Sequence, residues 1–267
     1  MIVKVANRRV GLDIVGDGIP VVFLHGFPHN RTLWSHQVSA LSLKARCIAP
    51  DLRGFGESDT QGPWSMEQFA HDVRDLLDHL EIERAAIVGL SMGGYIAMAC
   101  WRAMPDRIMG LALLDTQMGA DDDAGRAKRS ALIDKVRDEG IDVLVEAQLP
   151  GMVGKSTRAQ RPDLVEKMAQ MMRSAPVDGI VGALTAMRDR PDSSGTIGTV
   201  TVPTLVAVGD EDVLTPLAKA EAIAAALPPG TIRRLEVIAG SGHVSCVERP
   251  SSVNHALSEF LDSLLAF

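Results

Sequence analysis

Apolar and polar positions along this chain follow two different periods, and their alternation predicts the fold class. Mostly apolar runs at 21–24, 46–49, 86–90 and 108–114 have the length and β-branched content of buried strands. Segment 66–80 instead places Met66, Phe69, Val73, Leu76, Leu77 and Leu80 on one stripe at helical spacing. Two earlier strands, near 2–5 and 10–15, lie close enough in sequence to pair as a hairpin. Strand, helix and strand then recur, which predicts an α/β protein with a mostly parallel sheet and helices on both faces.

From about Gln117 to Thr199 the strand signal stops. Helices are expected there at 127–139, 142–147, 163–173 and 176–188, broken at Leu149-Pro150-Gly151 and Arg161-Pro162. Strand patterns return at 204–209 and 232–238. The expected organisation is a core made of 1–116 and 200–267, interrupted by a helical cap insertion at 117–199 within one structural domain.

The segment with the most chemistry is Ala85-Ala86-Ile87-Val88-Gly89-Leu90-Ser91-Met92-Gly93-Gly94, a buried-strand pattern running into G-x-S-x-G. Tyr95, Ile96, Ala97, Met98, Ala99 and Trp101 then follow as an apolar helix. A serine hydroxyl is a weak nucleophile and must be held on a sharp turn where an imidazole and a substrate carbonyl both reach it. Glycines two positions to either side leave room for that turn, and Ser91 is the expected nucleophile.

Seven histidines compete for the role of base. His71, His79, His36 and His255 have helical settings, whereas His243 stands in Ala239-Gly240-Ser241-Gly242-His243, directly after a strand. A glycine loop at a strand's C-terminal end is where open α/β sheets place their ligands. Asp212, in Val208-Gly209-Asp210-Glu211-Asp212-Val213-Leu214-Thr215-Pro216, is the expected acid because the apolar residues after it turn it inward. Asp115, ending the strand at 108–114, is the second candidate. The oxyanion donors are expected to be the backbone N–H of Met92, at a helix start, and of Phe27 in His25-Gly26-Phe27-Pro28. His25 is expected to fix that loop by a structural hydrogen bond.

With these residues in place the chain resembles the α/β-hydrolase fold superfamily, in its serine carboxylesterase and 3-oxoadipate enol-lactonase-like branch. The order Ser91, Asp212, His243 is that superfamily's order, and Asp51-Leu52-Arg53-Gly54-Phe55-Gly56-Glu57-Ser58 looks like its D-x-R-G-x-G-x-S turn. The resemblance implies an enzyme that cleaves small esters or lactones through an acyl-serine. The same triad also serves carbon-carbon bond hydrolases and perhydrolases, and some members of the superfamily are ligand receptors.

Composition narrows the picture further. A net charge of -7 without a basic block gives no electrostatic reason to bind nucleic acid. No apolar run is long enough to span a bilayer, so a soluble, cytoplasmic protein is expected. Cys47, Cys100 and Cys246 lie scattered on apolar segments, as reduced buried thiols do; Cys246 is a weak rival nucleophile because it sits in no elbow. Asp121-Asp122-Asp123 lacks calcium-ligand spacing and reads as a solvated helix start, and His25 and His29 share no helix face for zinc. No metal or nucleotide cofactor is expected. Gln117, Met118, Leu149, Met152, Val153 and Val213 are the candidates for the substrate pocket, with the cap's own core as their alternative role.

Overall fold

A computed structural model describes residues 1–265. Its eight strands are β1 (Ile2–Val5), β2 (Arg8–Val15), β3 (Ile19–Leu24), β4 (Ala45–Pro50), β5 (Ala85–Leu90), β6 (Ile108–Leu114), β7 (Thr204–Gly209) and β8 (Arg233–Ile238). They form one sheet in the order β1-β2-β4-β3-β5-β6-β7-β8. β1 and β2 pair as the antiparallel hairpin expected from sequence, and β2 joins β4 antiparallel. Every later neighbour is parallel.

Parallel strands need crossovers, and helices supply them on both faces. On one face α2 (Met66–His79) and α3 (Met92–Ala103) bury Phe69, Val73, Ile96 and Ala97 against Val22, Leu24, Ile87 and Leu113. On the other, α1 (Ser35–Leu41) and the C-terminal helix bury Val38, Leu41, Leu257 and Phe260 against Val21, Phe23, Val88 and Ala112. The sheet residues in these two sets alternate along each strand because successive side chains point to opposite faces.

Six helices lie between β6 and β7: α4 (Asp123–Glu139), α5 (Asp142–Met152), α6 (Lys155–Gln160), α7 (Pro162–Arg173), α8 (Val177–Arg188) and α9 (Ser194–Ile197). The expected break at Leu149-Pro150-Gly151 is absent, since α5 continues through Pro150 to Met152. Proline removes the bond to the carbonyl four residues back, here that of Glu146. Both residues are exposed, so water can satisfy that carbonyl and the helix tolerates the loss. The break expected at Arg161-Pro162 is present: α6 ends at Gln160 and Pro162 opens α7, at the position where its missing N–H costs nothing.

The chain closes with α10 (Leu217–Ala226), the short α11 (Ser245–Glu248) and α12 (Pro250–Leu265). No helix among the described residues is long and apolar enough to cross a membrane. The loops that leave the C-terminal ends of β3, β5, β6, β7 and β8 converge above one edge of the sheet, and the candidate residues lie on them.

Candidate active site

Ser91 links β5 to α3 with φ 54 and ψ -111, a conformation that costs an L-residue about 1–3 kcal/mol. The surroundings hold it there: Ser91 N–H donates to Leu114 O at 2.9 Å, and Ser91 O accepts from Gly94 N and Thr116 Oγ1. Its side chain does not cap α3, so the hydroxyl is free to meet another group. The flanking glycines are steric requirements. A Cβ on Gly89 would lie 2.2 Å from Gly93 O, and one on Gly93 would lie 2.1 Å from Leu24 O.

His243 reaches the hydroxyl from the loop after β8, with Nε2 2.8 Å from Ser91 Oγ. Its other nitrogen, Nδ1, lies 2.8 Å from Asp212 Oδ2. Asp212 in turn accepts from the N–H groups of Leu214 and Thr215 on Oδ1, and from Thr215 Oγ1 on Oδ2 at 2.7 Å. These bonds orient the carboxylate so that His243 carries its proton on Nδ1 and leaves Nε2 as the acceptor. Burial opposes the charge on both partners, yet each overcomes it. The imidazole and Thr215 hold Asp212 below the ordinary carboxylate value, and Asp212 raises His243 above the ordinary imidazole value.

Asp212 is 4% exposed, but the expected reason was wrong. Val213 and Leu214 are 71% and 44% exposed and do not draw the acid inward. The turn is closed by Asp212 itself, whose carboxylate takes the N–H groups two and three residues ahead. Thr215 completes this bracket by donating its hydroxyl to Asp212 Oδ2.

Asp115 does not touch the imidazole. Fully buried at the end of β6, it accepts from Gly209 N at 2.9 Å and from Ser245 Oγ. It therefore joins the loop carrying Asp212 to the loop carrying His243. Burial and the like charge of Asp212 push its carboxyl up to about 7, against the opposing pull of His243 and Ser245.

The loop after β3 lies against the serine. A Cβ on Gly26 would come within 2.7 Å of Leu90 Cδ2 and 3.4 Å of Ser91 Cβ. Neither Phe27 N–H nor Met92 N–H has a protein acceptor among the described residues. His25 holds the loop from below, with Nδ1 2.9 Å from Gly26 O and Nε2 accepting from Leu52 N at 3.0 Å. The second of these bonds ties it to the turn at 51–58, where Asp51 accepts from Arg31 and from Glu57 N and Ser58 Oγ donates to Asp51 O. The His29 ring is buried with neither nitrogen hydrogen-bonded among the described residues, and burial with the charges of His25 and His243 pushes it down to about 3.

A cavity of about 230 Å³ opens onto Ser91 and His243. Of the pocket candidates, Gln117 and Met152 line it. Four others do not. Met118 packs against the core on the α2 and α3 face and borders a separate small cleft, Leu149 packs against the core on the α1 face without reaching the cavity, and Val213 points to solvent. Val153 is buried in the core on the α1 face. The walls are completed by Phe27, Tyr95, Arg129, Gln148, Met187, Leu214 and Thr215, among others. Of these, only Phe27 carries an expected role in the site. Arg129 gave no signal because a charged residue on a polar helix reads as solvated. Its position is set by Asp121, which is itself an internal ion-pair partner rather than a solvated helix start; Asp122 supplies the helix cap by accepting from Gly125 N.

All three cysteines are free and buried, and burial drives the Cys246 thiol well above its ordinary value, so it is a poor nucleophile. Among the described residues, no cluster of three or more His, Cys, Asp or Glu side chains is arranged to hold a metal ion.

A strained serine at a strand-to-helix turn, relayed through an imidazole to a carboxylate on an eight-stranded α/β sheet, defines the α/β-hydrolase class. Residues 19–250 match the family model for the alpha/beta hydrolase fold, and the chain belongs to that family. A thermophilic esterase from Thermogutta terrifontis, solved with malate bound, is 36% identical, with a TM-score of 0.94 over 99% of this chain and 98% of that one. 3-Oxoadipate enol-lactonase 2 of Acinetobacter baylyi is 27% identical over 245 residues, covering 89% of this chain and 86% of its own. A bromoperoxidase from Bacillus anthracis is 25% identical, with a TM-score of 0.86 over 98% of this chain and 99% of that one.

Proposed function

We propose that this protein hydrolyses small carboxylic esters or lactones through an acyl-serine, with Ser91 as nucleophile, His243 as base and Asp212 as its orienting acid. The observation that carries the reading is the continuous relay of 2.8 Å from Ser91 Oγ to His243 and of 2.8 Å from His243 to Asp212. It stands beside two N–H groups, those of Phe27 and Met92, that have no acceptor among the described residues. Esterase and enol-lactonase relatives support the same substrate class.

In the first step Ser91 Oγ attacks the carbonyl carbon while His243 Nε2 takes the hydroxyl proton. Negative charge then develops on the carbonyl oxygen, where the N–H groups of Phe27 and Met92 meet it; the N-terminus of α3 adds a favourable dipole. Asp212 offsets the charge on the imidazolium. His243 returns the proton to the departing alkoxide, leaving the acyl-serine. Water enters, gives a proton to His243 and attacks the acyl carbon, and the same proton returns to Ser91.

Helices from 117–199 supply Arg129, Gln148, Met152 and Met187 to the cavity wall, which supports their reading as a cap that shapes specificity. A cytoplasmic location and action on a small molecule belong to the same proposal. Steady-state kinetics on a panel of short aryl esters and small lactones tests it: rapid multiple turnover is expected. A single slow turnover with retained product would assign a ligand receptor instead.

A second reading rests on the bromoperoxidase relative. The same acyl-serine serves a perhydrolase when hydrogen peroxide replaces water in the second step. Peracid formation from a short carboxylic acid and peroxide, exceeding ester hydrolysis under matched conditions, would favour that reading. Cleavage of a β-diketone analogue in preference to every ester would point to a carbon-carbon bond hydrolase.

A further inference from the structure

Apart from the relay, the cavity wall carries one charged side chain among the described residues, and nothing in the hydrolytic steps uses it. Arg129 projects from α4 into the same space as Ser91 and His243. No Asp or Glu lines that cavity among the described residues. The guanidinium is held from behind, because Nε donates to Asp121 Oδ2 at 2.5 Å and Nη1 lies 3.8 Å from Met187 Sδ. Nη2 has no protein acceptor among the described residues, so two N–H donors remain for a ligand.

Asp121 does not neutralise this wall. It also binds Arg190 at 2.7 Å, and it is the only carboxylate within 4 Å of either guanidinium among the described residues. Two cations share one anion. Arg190 is 4% exposed, with its Cζ 4.3 Å above the ring of Tyr95, another wall residue, and it donates to the carbonyls of Met187 and Gly119. The result is a fixed, partly dehydrated surplus of positive charge beside a small cavity, in a chain whose net charge is -7. A guanidinium with its Nε tethered and its outer edge free is suited to a planar oxyanion, which accepts its parallel N–H bonds.

We propose that Arg129 is a specificity residue that binds a carboxylate on the substrate, so that the preferred substrates are short esters or lactones bearing a second, anionic group. The inference rests on the hydrolase reading for its reaction and on the Arg129, Asp121 and Arg190 arrangement for its selectivity. A neutral ester of the same length leaves Nη2 without a partner and loses a charge-assisted bond, whose usual strength corresponds to about 10- to 100-fold in affinity or kcat/KM. Asp121 and Arg190 act as positioning residues, since neither is required to touch the substrate.

The test compares a 4-nitrophenyl hemiester of a short dicarboxylic acid with the 4-nitrophenyl ester of the monoacid of equal chain length. In the unaltered protein the ratio of kcat/KM values should favour the hemiester by about 10-fold or more, with most of the difference in KM. Arg129→Gln should bring that ratio close to one, and Arg129→Lys should keep part of it because the charge remains without the fork. Equal ratios in all three proteins would overturn the proposal. Isothermal titration with glutarate supplies a readout that needs no turnover. Binding to the unaltered protein that weakens in Arg129→Gln and partly recovers in Arg129→Lys supports the anchor even if no ester is cleaved. Glutarate binding that is undetectable, or indifferent to residue 129, refutes it even if ester hydrolysis is rapid.

Discussion

Replacing Asp212 by asparagine removes one charge and almost no volume, yet it reverses the hydrogen bond on which the base depends. The carboxylate currently accepts from Leu214 N, Thr215 N, Thr215 Oγ1 and His243 Nδ1. An asparagine oxygen would keep the two backbone bonds, which close the turn, and its NH₂ group would then face His243. Two donors cannot bond, so His243 must shift its proton from Nδ1 to Nε2. In that tautomer Nε2 offers a hydrogen to Ser91 Oγ instead of accepting one, and general-base catalysis stops. The loss expected for the wrong tautomer is about 10⁴-fold in kcat, or roughly 5 kcal/mol of transition-state stabilisation. Asp115→Asn is the matched control, since Asp115 is equally buried but bonds Gly209 N and Ser245 rather than the imidazole. Its kcat should fall by no more than about 10-fold. Initial rates on one activated short-chain ester, with folding checked by circular dichroism, give both numbers. A larger loss in Asp115→Asn than in Asp212→Asn would refute the assignment and move the acid to the end of β6.

The same geometry sets other outcomes. An organophosphonate should add one covalent mass at Ser91, and Ser91→Ala should lower esterase activity by about four orders of magnitude or more; adduct at Cys246 would contradict the burial argument. The rate should rise with pH through a value above the ordinary imidazole pKa, because Asp212 raises His243 and only the neutral ring accepts a proton; Asp212→Asn should move any residual inflection downward. Stability should carry a signature of Asp115, whose carboxyl is raised from 3.8 to about 7 in the fold. Between those values the folded chain keeps a proton that the unfolded chain has released, so its contribution is full below about pH 4 and is lost as pH rises to about 7. The loss amounts to as much as about 4 kcal/mol, and denaturant titrations across this range should show Asp115→Asn flattening the dependence. A cavity of about 230 Å³ is smaller than the roughly 300–1,000 Å³ usual for drug-sized ligands, so kcat/KM should fall as the acyl chain lengthens; a steady climb with chain length would count against the compact pocket.

Much of this protein was legible from residue order alone. Strands such as β5 are apolar at every position because parallel strands are covered on both faces, and α2 repeats its apolar stripe because only one face is covered. Ser91 was visible for a steric reason: the turn it occupies excludes Cβ atoms at Gly89 and Gly93, and that exclusion is written into residue type. The position of His243 in a glycine loop after a strand was legible on similar grounds.

Tertiary structure decided what depends on distance between segments far apart in the chain. Asp212 and Asp115 both follow buried strands, and only the positions of β6, β7 and β8 put one against His243 and the other against Ser245. Local apolar pattern even gave the wrong cause for Asp212, since Val213 and Leu214 are exposed and hydrogen bonds close the turn. The pocket was the least legible part. Helix α5 turns several residues toward Ser91 and α4 and α8 one each, and whether Leu149 or Met152 is among them depends on helix rotation and crossing angle, which a periodic pattern leaves free. Arg129 is the extreme case. Its sequence setting is that of a surface charge, and it lines the cavity with its Nε held by the half-buried Asp121, eight residues earlier, while Arg190, sixty-one residues later, shares that same carboxylate.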